Sequence, residues 1–190
     1  MSSGTRPYRL KERARRQEET RRRIAAVTAD LHAEVGPART TIAEVARRAG
    51  VQRPTVYANF PEERELFAAC QAHFLAGHPP PDPGPALALG DPTERVRGVL
   101  WGFYALYREN EAMTGNVQRD RRLVPALDTL LADTSDRRLD QLADALAPGK
   151  ASPSRPLLRL ALDFATWKRL TAEGLSDEEA AKLMARAATA

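Results

Sequence analysis

The chain has only one cysteine, Cys70, among its 190 residues. No disulfide can therefore form within the chain, and a reducing compartment is expected. No stretch reaches the roughly 20 consecutive apolar residues that a membrane span requires. The basic N-terminus is not followed by the apolar segment of a signal peptide. We therefore predict a cytoplasmic protein without a membrane partner.

The patterns of metal sites and common catalytic centres are also missing. His32, His73 and His78 are scattered along the sequence, and Cys70 has no second thiol beside it, so no metal site is predicted. There is no glycine-rich phosphate loop and no nucleophile elbow. Cys70 falls on an apolar helix face, which favours a buried thiol over a redox sensor. We predict neither an enzyme nor a cofactor.

Positive charge is concentrated near the N-terminus. Residues 1–60 hold 13 Lys and Arg against six Asp and Glu, a net charge of +7, whereas the remainder has a net charge of −3. A basic segment attached to a mildly acidic body is typical of proteins that bind a polyanion. A solvated basic segment with no partner is the alternative that charge alone leaves open.

The hydrophobic spacing indicates an all-α fold. Residues 1–14 are predicted to be a loose basic arm, and a first helix is predicted from Arg15 to Val35. Gly36-Pro37 ends that helix, and Thr41, with Glu44 three residues later, forms a predicted capping box for the next one.

Prolines separate this region from the rest of the chain. Six of the 14 prolines fall in residues 79–92, which we predict to be an exposed, non-helical connection. Further helices follow, among them one predicted from about Pro156 to Glu173 and a last one over Ser176–Thr189. The predicted domains are a helix-turn-helix domain over 15–60 and a helical domain over 61–190.

Residues 41–60, TIAEVARRAGVQRPTVYANF, carry the helix-turn-helix pattern. Two helices that cross steeply need a small residue on the first, a permissive turn, and an apolar anchor on the second. Ala46, Gly50 and Val56 meet these needs at the expected spacing. The second helix is then expected to enter the major groove of DNA.

At this stretch the sequence resembles the TetR family of bacterial regulators. The matching residues are Thr40, Thr41, Ile42, Ala49, Gly50, Val51, Thr55, Val56, Tyr57 and Phe60. The resemblance is close over about residues 20–70 and elsewhere extends only to length and helix order. It implies a DNA-binding, dimeric regulator, with repression as the default, whose C-terminal domain senses a small molecule.

Six residues are predicted to contact DNA: Thr41, Gln52, Arg53, Thr55, Tyr57 and Asn59. Arg53 has the planar fork that binds guanine, and Gln52 can pair with adenine. The hydroxyls of Thr41, Thr55 and Tyr57 suit phosphates, and Asn59 is expected to cap the helix or contact phosphate. Arginines of the arm, such as Arg6 and Arg9, are expected to add contacts. A solvated surface side chain is the alternative for each of the six, and a tail that is disordered without DNA is the alternative for the arm.

Three positions depart from the family pattern. His32 stands where an aromatic residue is usual, which is expected to loosen core packing. Glu63 replaces a usual lysine and would repel phosphate unless Arg64 reaches it instead. Ala58 replaces a residue that is often aromatic or histidine, so one further DNA contact is expected to be absent.

Two apolar clusters lie in the C-terminal domain. The first, Trp101, Phe103, Tyr104 and Tyr107, is predicted to line a largely apolar ligand pocket, with plain core as the alternative. The second, Leu157, Leu160, Phe164 and Trp167, forms an apolar stripe that a partner helix could cover. The resemblance to the TetR family implies that this stripe packs in a four-helix dimer interface, with packing inside the chain as the alternative. Asp163 lies between apolar neighbours and is expected to be exposed.

These observations predict a homodimeric transcriptional regulator. A palindromic DNA operator would be bound by two helix-turn-helix heads, and a small-molecule ligand would release it. A ligand-independent architectural or protein-interaction dimer that keeps only the DNA-binding head is the alternative.

Overall fold

The computed structural model describes residues 5–147 and 154–190, and within them it is all α-helical, as predicted. The helices are α1 Thr5–Glu34, α2 Ile42–Arg48, α3 Arg53–Asn59, α4 Glu63–Gly77, α5 Gly84–Leu87, α6 Pro92–Glu109, α7 Glu111–Asp120, α8 Pro125–Leu131, α9 Arg137–Leu146, α10 Arg155–Ala161, α11 Phe164–Ala172 and α12 Asp177–Thr189. A π-helical turn over Ala132–Asp136 joins α8 to α9. None of the described helices is long and apolar enough to cross a membrane.

The first compact unit comprises the chain up to Gly77 together with Asn116–Leu130. Its core is formed by buried apolar side chains of α1 to α4, namely Ile24, Leu31, Val45, Ala46, Ala49, Val56, Phe60 and Leu66. α4 therefore packs with the helix-turn-helix, whereas the predicted domain boundary was placed before it. The functional division into a DNA-binding and a ligand-binding domain stays a prediction.

The first helix begins ten residues earlier than predicted, at Thr5 rather than Arg15. The prediction of a loose arm is therefore wrong for residues 5–14. This segment is rich in Arg, Lys and Glu, which are good helix formers. Glu12 also pairs with Arg15 and Arg16 one turn further along. The side chains of Arg6 and Arg9 lie outside the described part.

The second unit comprises His78–Gly115 and Leu131–Ala190. Its core combines α6, α9, α10, α11 and α12, with Leu100, Tyr104, Leu158, Leu162 and Trp167 among its most buried members. Ser176 and Glu179 form the capping box that begins α12, as predicted.

Two predictions about segments of this unit are wrong. The proline-rich residues 79–92 contain a short helix, α5, and Ala86 and Leu87 pack on the core. A proline at the first turn of a helix costs no hydrogen bond, so Pro85 is compatible with α5. The predicted helix from Pro156 to Glu173 is divided at Leu162-Asp163 into α10 and α11, because Asp163 adopts extended backbone angles as the N-cap of α11.

Candidate nucleic-acid interface

The start of α2 is fixed by Thr41. Its hydroxyl oxygen accepts a hydrogen bond of 3.2 Å from the backbone amide of Glu44, as the capping prediction requires. The Glu44 carboxylate, however, binds Arg47 at 2.6 Å and Arg48 at 2.9 Å, so the reciprocal half of the predicted capping box is not formed. These two guanidiniums lower the pKa of Glu44 to about 2.

The turn between α2 and α3 matches the helix-turn-helix geometry. Gly50 has a φ of 64°, a conformation that favours glycine. The backbone amide of Val51 donates a 2.9 Å hydrogen bond to the carbonyl of Ala46, which is itself buried. Val56 is buried from the α3 side. The small residue, the turn and the anchor therefore take the positions that the sequence predicted.

The N-terminal part of α3 presents polar side chains to solvent. Gln52 is the N-cap residue, yet its side chain makes no capping hydrogen bond, so its amide is available to a ligand. Arg53 is exposed and has no ion-pair partner among the described residues. Thr55 is partly exposed, and Tyr57 has 55% of its surface exposed. Five of the six predicted DNA contacts lie on this short helix and its cap, and four of these five side chains are at least partly exposed.

Asn59 is placed differently from the other predicted contacts. Only 8% of its surface is exposed, and its side-chain amide donates a 2.8 Å hydrogen bond to the carbonyl of Thr55. A side chain buried in this way is poorly placed to reach a phosphate. It stabilises the last turn of α3 instead.

Arg21 is a residue that sequence reasoning missed. Its guanidinium donates a hydrogen bond to the carbonyl of Asn59 and lies 4.1 Å from the centre of the Phe60 ring. Arg21 therefore ties the C-terminus of α3 to α1 by a charge-assisted hydrogen bond and a cation–π contact. In the sequence it stands within the run Arg21-Arg22-Arg23, and the pattern alone does not distinguish it from its neighbours.

The arginines around the helix-turn-helix differ in whether they form ion pairs. Arg48 is held by Glu34 at 2.7 Å and by Glu44, and Arg47 is held by Glu44. Arg53 forms no such ion pair with the described residues.

The start of α4 carries both charges. Glu63 begins α4 and is exposed, whereas its neighbour Arg64 is partly buried.

The predicted ligand residues are mostly core residues of the second unit. The hydroxyls of Tyr104 and Tyr107 donate hydrogen bonds of 2.8 Å and 2.7 Å to the carbonyls of Ala161 and Leu162. Phe103 is buried with them, and Trp101 has 49% of its surface exposed. Burial raises the pKa values of both tyrosines. The four residues do not converge on one surface, and their ligand-binding role stays a prediction.

The predicted dimer residues are also divided. Trp167 is fully buried within its own unit, where its indole N–H donates a 2.9 Å hydrogen bond to Asp177. Leu157 and Phe164 are partly buried against the same core, and Leu160 has 50% of its surface exposed. Asp163 is partly exposed and pairs with Arg159. Leu160 is thus the member of this set that is best placed to meet a partner.

Comparison with known proteins agrees with the geometry of the first unit. The model for bacterial regulatory proteins of the tetR family matches residues 24–70. Uncharacterised HTH-type transcriptional regulators of Mycobacterium tuberculosis and Mycobacterium bovis are each 43% identical over 54 residues, 28% of this chain. The aligned region spans 29% of the length of each relative.

Solved structures extend the likeness to the whole fold. A TetR-family regulator from Rhodococcus sp. has a TM-score of 0.61 at 19% identity, over 90% of this chain and 96% of its own. RolR in complex with resorcinol has a TM-score of 0.51 at 21% identity, over 92% of this chain and 88% of its own. Residues 24–70 are therefore similar to the DNA-binding region of the tetR family of bacterial regulatory proteins, and the chain as a whole shares the all-α fold of the solved structures.

Proposed function

We propose that the protein is a cytoplasmic transcriptional regulator that binds a palindromic DNA operator as a homodimer. The observation that carries the proposal is the surface formed by Gln52, Arg53, Thr55 and Tyr57 on α3 and its N-cap. A short helix that projects such side chains into the major groove can read base edges and hold phosphates at once.

Within this surface, each side chain has a role that follows from its chemistry. Arg53 would bind guanine through two parallel hydrogen bonds, and Gln52 would pair with adenine. Thr55 and Tyr57 would donate hydroxyl hydrogen bonds to phosphates, which fixes the register of the helix. Thr41 accepts its capping hydrogen bond through its oxygen, so its proton remains available for a phosphate.

In the proposed mode of action, the regulator is a repressor that a small molecule releases from DNA. A ligand would weaken operator binding if it favoured a conformer in which the spacing of the two helix-turn-helix heads no longer matches the half-sites, because ligand and DNA would then stabilise different conformers. The structural neighbour RolR was solved with resorcinol, which supports a small, largely apolar ligand. The buried, hydrogen-bonded tyrosines Tyr104 and Tyr107 favour a second candidate, a DNA-binding dimer whose C-terminal unit binds no ligand.

In vitro selection from random duplex DNA tests the proposal, because it does not require the operator sequence. The full chain should enrich a sequence with two inverted half-sites about one helical turn or more apart. Fluorescence anisotropy on the enriched duplex should show binding that weakens steeply as salt is raised, since bound Lys and Arg release counterions. No enrichment, or enrichment that Arg53→Ala leaves unchanged, would contradict this assignment.

A further inference from the structure

A pocket of about 270 Å³ lies inside the first unit, bounded by α1, the turn after it, α2, the end of α3 and the start of α4. Its lining is mainly apolar. The lining includes His32, Val45, Phe60, Glu63, Leu66 and Phe67.

His32 is a buried polar residue in the lining of this pocket. Only 3% of its surface is exposed, and it stands where the family resemblance predicts an aromatic residue. Its Nδ1 lies 3.4 Å from the sulfur of Cys70, and its ring lies 5.5 Å from that of Phe67. Its Nε2 has no hydrogen-bond partner among the described residues. A ring nitrogen in a pocket wall that no protein group engages can form a hydrogen bond with a ligand.

Both members of the His32–Cys70 pair are uncharged near neutral pH. Burial lowers the pKa of His32 to about 4 and raises the pKa of Cys70 to about 12. A neutral imidazole offers one donor and one acceptor nitrogen. If the Cys70 thiol donates a hydrogen bond to Nδ1, then Nε2 carries the ring proton and can donate to a ligand. If Nδ1 carries the proton and donates to the sulfur, then Nε2 can accept a hydrogen bond from a ligand.

We propose that this pocket binds a compact, uncharged aromatic molecule that carries one hydroxyl or ring N–H group. An apolar cavity of about 150 Å³ can hold benzene, so a volume of 270 Å³ suits a one- or two-ring molecule. Val45, Leu66 and Phe67 supply apolar walls, and the ring of His32 supplies a polar contact. The exposed carboxylate of Glu63 in the same lining disfavours an anion.

The pocket also connects the proposed ligand to α3. Tyr57 and Phe60 line it, and Tyr57 belongs to the surface proposed to contact DNA. A molecule that packs against both residues is expected to change how α3 presents Tyr57, and so to weaken DNA binding. This second step rests on the proposed function, whereas binding in the pocket does not.

Indole is a suitable probe because it is uncharged and has two fused rings and one ring N–H. Titration of the full-length, ¹⁵N-labelled protein should give saturable amide shifts confined to the pocket lining and its neighbours. His32→Phe should lower the affinity about tenfold or more, because it removes both space and the polar partner. Val45→Ile, which adds one methylene to a buried wall, should lower it by a smaller factor.

Matched substitutions outside the pocket serve as controls. His73→Phe, on the exposed face of α4, and Val27→Ile, in α1, should leave indole binding unchanged. Circular dichroism establishes that each variant is folded, and Val45→Ile decides the outcome if His32→Phe does not fold. Undiminished affinity in both pocket variants, or shifts located in the second unit, would overturn the site.

Anisotropy with the selected operator tests the connection to α3. Indole should weaken DNA binding by the wild-type protein and leave His32→Phe unaffected. If the amide shifts mark the pocket but DNA affinity stays constant, the site stands and the coupling is wrong. If no DNA is bound at all, the proposed function fails, and the amide shifts alone decide the pocket.

Discussion

The carboxylate of Asp120 accepts a 3.0 Å hydrogen bond from the backbone amide of Ala38, 82 residues earlier in the chain. Asp120 is buried and also binds the guanidinium of Arg119 at 2.7 Å. It faces the turn that leads into the helix-turn-helix, where Gly36 has a φ of 93°. A Cβ on Gly36 would lie 2.3 Å from Asp120 Oδ2, so glycine is required there for space as well as conformation.

Replacing Asp120 should destabilise the first unit. Asp120→Ala leaves the amide of Ala38 unpaired and should lower the free energy of unfolding by about 1.5–3 kcal/mol, the range for hydrogen bonds to charged groups. Asp120→Asn, which keeps an acceptor oxygen, should cost less. Urea unfolding at pH 7 measures both changes. Equal losses for the two variants would argue against a specific role for the Ala38 hydrogen bond.

Arg53→Ala should weaken operator binding by about 1–3 kcal/mol and relax sequence preference at one base pair, since no ion pair within the described part of the chain engages the guanidinium that would bind guanine. Competition anisotropy against single-base operator variants measures both effects. Arg47→Ala is the control, because it removes the same charge from an arginine that is already bound by Glu44. Loss of preference in the control but not in Arg53→Ala would contradict the assignment.

Glu63→Lys tests whether the start of α4 approaches DNA. If it does, the new cation should tighten binding to all sequences and steepen the dependence of log affinity on log salt by about one unit. Titrations at several salt concentrations give that slope. An unchanged slope would show that this exposed residue lies away from the phosphates.

Leu160→Glu should convert the proposed dimer to monomers without unfolding the chain, because this side chain is half exposed on α10. Light scattering at micromolar concentration should give a mass of twice 20.9 kDa for the wild-type dimer and a mass near 20.9 kDa for the monomeric variant. Leu123→Glu, at another exposed leucine, is the control and should stay dimeric. A wild-type mass near 20.9 kDa would contradict the dimer.

His32 should make stability depend on pH. Its pKa is lowered to about 4 in the folded protein, against about 6.5 in the unfolded chain. Between these values the unfolded state binds the proton that the folded state excludes, so stability falls as pH falls. The contribution of His32 should decrease the free energy of unfolding by about 2 kcal/mol from pH 7 to pH 5.

Urea unfolding at pH 7 and pH 5 gives the change in the free energy of unfolding, and the difference between the wild type and a His32 variant isolates the contribution of His32. His32→Gln cannot titrate in this range and should lose less stability between pH 7 and pH 5 than the wild type. His73→Gln, at an exposed histidine, should behave as the wild type does. Identical pH dependence in all three proteins would show that His32 is not buried in its neutral form.

Local sequence determined the helix-turn-helix almost completely. The Thr41 cap, the Gly50 turn and the buried anchors Ala46 and Val56 are short-range features, because each depends on residues only a few positions away. Helical periodicity likewise predicted the all-α fold, since apolar spacing reflects which face of a helix is covered.

Only the tertiary structure decided which side chains lie together. Asn59 is buried, Arg21 rather than its arginine neighbours holds α3, and Tyr104 and Tyr107 have carbonyl partners more than 50 residues away. The division of α10 from α11 placed Trp167 in the core and left Leu160 outside. Such outcomes depend on contacts between distant segments, and the spacing of residues along one helix does not predict those contacts.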